Sequence, residues 1–185
     1  MSGWTIVDLG TVGHKYSSAV GINNLGQVIG YGWDNDTSNC HPCDAFMSDA
    51  NGANVRIIGT PGTQSSARYI NNKGVVIILS QVNFPSSYSM TGANGVGLTA
   101  LDASTTSVSG INDSGQYVGF TDGQGNFISG ANGVGKTYLN FPTQYGPFNI
   151  GSFNNNAYPQ ILTDVMDPGT STSAVLDLGW RVPSR

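Results

Sequence analysis

The chain has 185 residues, a formal net charge of −4, only 10 % charged residues and 26 glycines. The length suits one domain with a real core. The acidic balance without a basic cluster argues against a nucleic-acid partner, and no apolar stretch approaches the roughly 18 residues of a membrane helix, so no membrane insertion is expected. A hydrophobic share of 38 % in regular short runs favours a folded, loop-rich β protein over disorder.

Met1-Ser2-Gly3 leads straight into a lone strand-like segment, residues 4–9. No basic n-region or apolar h-region marks a signal peptide, so either a leader has been removed or the protein leaves its cell by another route. Residues 17–22 and 27–31 read as a hairpin, 32–44 as a long polar loop, and 45–48 and 54–58 as two more strands about an Asn51-Gly52 turn. The same order returns at 66–70, 75–79, 88–91 and 98–101, with the turn at Asn94-Gly95. It returns again at 107–111, 116–120, 126–129 and 136–139, with the turn at Asn132-Gly133. A fourth unit gives strands at 149–153, 160–163 and 173–176 only.

The units are tied together by one repeated phrase. It reads GINNLGQVIGY at 21–31, YINNKGVVIIL at 69–79, GINDSGQYVGF at 110–120 and, in worn form, SFNNNAYPQIL at 152–162. Asn23, Asn71, Asn112 and Asn154 anchor the copies at intervals of about forty to fifty residues, the period of a propeller blade. Within each copy, Gly26, Gly74 and Gly115 sit where a hairpin loop needs φ > 0, and the preceding Asn or Asp can bond back to the turn. The asparagines therefore read as turn formers rather than ligands. Ala157 takes the glycine's place in the fourth copy.

The expected fold is all-β. Four repeats of a four-stranded antiparallel meander, at about 17–58, 66–101, 107–139 and 147–178, form one domain, a four-bladed β-propeller. The orphan strand 4–9 has the character of 55–59 and supplies the strand that the last unit lacks. It would close the ring by pairing near 173–178 and leave no open edge.

The phrases DLGTVG, SSAVGINNLGQVIGYG and DAFMS, followed by GTPGTQSSARYINNKG and SGINDSGQYVGF, resemble the bacterial extracellular repeats called the HAF family, after a His-Ala-Phe triplet. The likeness covers most of the chain and fades after about residue 140; Asp44 stands where the triplet has its His. The resemblance implies a surface or secreted repeat protein and carries no catalytic residues with it. Similar repeats also look at home in phage-encoded proteins.

Several motifs suggest chemistry and have plainer readings. Residues 130–137 match the phosphate-loop pattern G-x-x-x-x-G-K-S/T, but strand and then Pro142 follow where a helix is required. Residues 92–99 are the same phrase with Leu98 in place of Lys136, so a hairpin turn is expected, with Lys136 on the surface. Cys40-His41-Pro42-Cys43 lacks the βαβ setting of a redox motif, and only His41, His14 and carboxylates could complete a four-ligand zinc site; a loop disulfide or free thiols is favoured over metal. Residues 34–39 begin like a calcium loop but lack its Gly and Glu. Ser17, His14 and Asp8 could make a triad only by nearness in sequence, and no motif marks a carboxylate pair for glycoside hydrolysis. No metal or cofactor is expected.

In such a meander the tight turns fall on one rim, and the long second-to-third-strand loops and the links between units on the other. The second rim collects His14, Tyr16, Trp33, Phe84 and Tyr145, with Trp33 at a loop tip beside Cys40 and Cys43. Loops on a rigid scaffold commonly carry binding, and exposed aromatics suit glycan stacking or protein contact. The expected function is a non-enzymatic surface-binding or structural module, extracellular or virion-associated, such as a phage decoration or tail-associated protein among protein neighbours. The alternatives are a secreted lectin for cell-surface glycan, and a hydrolase with an unrecognised site.

Overall fold

Three antiparallel meanders follow one another along the chain in a computed structural model that describes residues 6–35, 43–81 and 86–139. The first sheet is β1 (Tyr16–Ile22), β2 (Val28–Trp33), β3 (Cys43–Met47) and β4 (Arg56–Ile57). The second is β5 (Ser65–Ile70), β6 (Val76–Ser80), β7 (Ser87–Met90) and β8 (Thr99–Ala100). The third is β9 (Ser107–Ile111), β10 (Tyr117–Thr121), β11 (Gly125–Ser129) and β12 (Lys136–Tyr138). In each sheet the strands lie in chain order, and the described residues contain no α-helix. The expected fourth unit lies outside the described residues.

Local chemistry sets each meander. Asn51, Asn94 and Asn132 take φ of 57°, 55° and 54°, and the glycine after each is also left-handed. This is the backbone that a two-residue hairpin turn demands and that Asn-Gly tolerates best. Gly26, Gly74 and Gly115 each adopt φ of 70° in the other tight turn. The two turns of a sheet lie on the same rim and bond to each other. Gly52 N–H donates to Gly26 O at 3.1 Å, Gly95 N–H to Gly74 O at 2.9 Å, and Asn132 N–H to Ser114 O at 3.3 Å.

The sheets stack face to face in a fixed sense, because alternate residues of a strand face opposite sides. From the first sheet Ile29, Ala45 and Met47 meet Ala67, Val76 and Ile78 of the second, with Ile58 and Ile70 beside them. From the second, Ile77 and Met90 meet Val108, Ile111, Tyr117 and Phe127 of the third. Each sheet thus has a forward face, toward the next sheet, and a rear face. Phe127 lies over Gly119, where a Cβ would stand 2.9 Å from its ring, and meets Tyr117 edge-on at 5.6 Å.

Two expectations about elements change. Residues 6–10 form no strand in this structure, and residues 4 and 5 lie outside the described residues. The loop expected over 32–44 is shorter: Gly32 and Trp33 end β2, and Cys43 and Asp44 begin β3, because Trp33 pairs with both Tyr16 and Cys43.

Candidate functional site

The repeated asparagines do more than shape turns. Asn71 Oδ1 accepts the Lys73 and Val75 N–H groups at 3.0 and 2.9 Å, which is the turn role. Its Nδ2 then donates to Asn112 O in the next sheet at 2.8 Å. Asn23 repeats the pattern: its Oδ1 takes Leu25 and Gln27 N–H, and its Nδ2 reaches Asn71 O at 2.9 Å. A second rail runs alongside. Asn24 N–H donates to Asn72 Oδ1 at 3.0 Å, and Asn72 N–H to Asp113 Oδ1 at 2.7 Å. The tight-turn rim is therefore a ladder of side-chain amides stitching sheet to sheet, and its donors and acceptors are committed to that task.

The opposite rim of the first sheet holds the three expected binding residues that are described, His14, Tyr16 and Trp33. Tyr16 opens β1 and is 37 % exposed. Trp33 closes β2 as its cross-strand partner, and their rings lie 5.6 Å apart at 30°. Tyr31, two residues back on the same face of β2, adds a third ring 5.6 Å from Trp33 at 36°. Trp33 and Tyr31 are half-buried, so Trp33 is a strand residue at the end of the forward face and not a loop tip. Lys15 Nζ lies 5.2 Å from the Tyr16 ring centre, within cation–π range.

His14 lies across β2 from this trio, against Gly32, its side chain 11 % exposed. A Cβ on Gly32 would come within 2.6 Å of the ring, so only glycine lets the imidazole lie on the β2 backbone. Nδ1 is 3.1 Å from Asp34 Oδ2. Nε2 stands 3.2 Å from Asp44 Oδ2 without a directed hydrogen bond. A doubly protonated ring offers an N–H to each carboxylate; a neutral one serves only one. Asp34 also accepts the Lys15 N–H at 2.9 Å. The His14 ring first, and then that N–H, hold the Asp34 carboxyl below its usual range. Asp44 Oδ1 takes the Gly62 N–H at 3.0 Å and so reaches the link to the second sheet. The cluster clamps the link before β1, the end of β2 and the start of β3.

Other expectations find definite places. Ser17 Oγ donates to Gly10 O, and Asp8 Oδ1 accepts Gly10 N–H, so Ser17, His14 and Asp8 each have separate engagements and make no relay. Cys43 is disulfide-bonded; Cys40, the chain's other cysteine, lies outside the described residues, as do Phe84 and Tyr145. Residues 130–137 form a tight 3-10 turn that leads into β12, with no α-helix after it among the described residues. Lys136 is not a surface side chain. It is 8 % exposed, its Nζ sits 4.4 Å from the Phe127 ring centre, and it donates to Ser104 Oγ at 2.8 Å beside Asp102.

Sequence reasoning missed Tyr31, Asp34 and Asp44 as site residues. The Tyr31-Gly32-Trp33 spacing was a usable signal for the first, since period-2 alternation puts residues 31 and 33 on one face. The two aspartates carry no such signal, because the fold alone brings them to His14. Among the described residues no group of three His, Cys, Asp or Glu side chains is placed to hold a metal. No family model, curated protein or solved structure matches the chain.

Proposed function

We propose that the chain is a non-enzymatic surface-binding or structural module, carried on a four-bladed β-propeller closed by its N-terminal segment. The observation behind this reading is the contrast between the rims. One repeats the same amide ladder at every sheet, and its polar groups bond to one another. The other is individual: at the first sheet it carries Tyr16, Tyr31 and Trp33 on one face of β2 and His14, Asp34 and Asp44 about Gly32 on the other. A chain of low charge, built of repeats like those of extracellular and phage proteins, suits a virion decoration or tail-associated part. Negative-stain imaging of source particles labelled for this protein tests that setting, and particles without label would refute it.

A glycan-binding reading is favoured by the ring trio itself. Sugar faces stack on aromatic rings. The test is Trp33→Ala, measured for both binding and stability on a glycan array and by thermal unfolding. An aromatic anchor should cost about 1–3 kcal/mol of binding. Trp33 is half-buried in a strand, so about 1–2 kcal/mol of stability should go as well, less than the 3–5 kcal/mol of a fully buried ring. A loss of stability with unchanged binding would remove this trio from the site.

A further inference from the structure

The tripeptide Ala-Asn-Gly stands at residues 50–52, 93–95 and 131–133. Each copy folds as the same turn, with Asn51, Asn94 and Asn132 left-handed at nearly one φ and all three exposed. Asparagine before glycine is the pair that loses its side-chain amide most readily, because a residue without a Cβ leaves its backbone nitrogen open to attack the side chain before it. Residues 92–97 and 130–135 share the sequence Gly-Ala-Asn-Gly-Val-Gly. Any difference in reactivity between Asn94 and Asn132 therefore comes from the fold.

The fold holds the three turns to different degrees. Gly52 N–H donates to Gly26 O at 3.1 Å and Gly95 N–H to Gly74 O at 2.9 Å, each in the facing turn of its sheet. Gly133 N–H donates within its own turn instead, to Gly130 O at 3.1 Å. A Cβ on Gly26 or Gly74 would stand 2.9 Å from the backbone of the facing asparagine, whereas one on Gly115 would stand 3.3 Å away, so the third pair of turns lies farther apart. The first sheet also grips Asn94. Gln27 Nε2 donates to its Oδ1 at 3.2 Å and Arg56 Nη2 to its carbonyl at 2.7 Å. Toward Asn132, the second sheet has Val75 in the place of Gln27 and Thr99 in the place of Arg56. Val75 has no side-chain hydrogen to donate, and Thr99 has no long guanidinium arm.

From this we infer that Asn132 is the site of deamidation in the folded protein, ahead of Asn51 and further ahead of Asn94. The Gly133 nitrogen gives up its proton to solvent and bonds to the Asn132 side-chain carbon Cγ. The Cγ–Nδ2 bond breaks, and ammonia leaves. Water then opens the cyclic imide at either carbonyl, giving aspartate or isoaspartate. With Asn132 ψ at 29° the Gly133 nitrogen points away from the side chain, so the turn must open first. The rate thus follows the population of the opened turn, which each hydrogen bond to a neighbour lowers. The product adds a negative charge at the turn that bonds to Ser114 O, and the iso form also adds a main-chain carbon there.

Incubating the full chain at mildly alkaline pH, with peptide mass spectrometry and an isoaspartate assay, reads all three sites in one sample. Asn132 should convert about fivefold faster than Asn51, which is the effect of one hydrogen bond of about 1 kcal/mol, and about tenfold or more faster than Asn94. In concentrated urea the Asn94 and Asn132 rates should agree. Arg56→Ala should raise the Asn94 rate relative to Asn132 in the same molecules, a ratio that a general loss of stability would not raise. Native Asn94 or Asn51 converting as fast as Asn132 overturns the proposal. An Asn132 that stays intact in the native chain but converts in urea also overturns it, as does an unchanged ratio in Arg56→Ala.

Discussion

Replacing Asn71 isolates what the ladder contributes. Asn71 is buried and makes three bonds through its side chain: it accepts from Lys73 and Val75 and donates to Asn112 O. Alanine removes all three. A net hydrogen bond is worth about 1 kcal/mol, and a partner left buried without a substitute costs about 1–3 kcal/mol. Asn71→Ala should therefore destabilise by about 3 kcal/mol. For a chain of this size that is a fall in Tm of roughly 6–12 °C. Aspartate separates the two roles. Asn71→Asp keeps both acceptor bonds of the turn, but it sets a carboxylate oxygen against the Asn112 carbonyl where an N–H stood. If stitching between sheets matters, aspartate should lose at least as much as the donor bond is worth, about 1–2 kcal/mol. Urea unfolding followed by circular dichroism measures both variants. Asn71→Asp as stable as wild type would refute the ladder and leave the asparagines as turn formers only.

Lys136→Ala should cost about 1–3 kcal/mol, more than a surface change, since it removes a ring contact and the hydrogen bonds to Ser104 and Thr121; nucleotide titration should show no binding, and loss under 0.5 kcal/mol would return Lys136 to the surface. Gly119→Ala should destabilise by about 1–3 kcal/mol or more, because its Cβ would meet Ser107 O and the Phe127 ring; an unchanged unfolding midpoint would mean the ring is free to move. Asp34, Asp49 and Asp102 have carboxyls held below the ordinary value of 3.8 by hydrogen bonds from His14 and Lys15, from Asn54 and Arg56, and from Ser104 respectively. Depressed values mean stability that is fully present above pH 3.8 and lost as pH falls through the lower folded values. All three groups are exposed, so the loss should be small and weaker in salt. Rising stability below pH 3.8 would contradict it.

The sequence by itself determined the period, the meander and the turns. Hairpin φ angles are a local demand that Asn-Gly pairs meet wherever they stand, and strand alternation is visible within five residues. That is why the twelve strands of the described residues were legible and why residues 130–137 read as a turn despite Lys136. Tertiary structure alone decided what the local chain leaves open. The second use of Asn71, the hold of Lys136 on Ser104 and the meeting of His14 with Asp34 and Asp44 join residues far apart in sequence or in different sheets. An amide nitrogen that finishes no turn looks idle in sequence and finds its acceptor only when a second sheet stands at stacking distance. Trp33 shows the limit from the other side: a polar stretch hid the end of β2, and only pairing with Tyr16 and Cys43 drew that strand out to the rim.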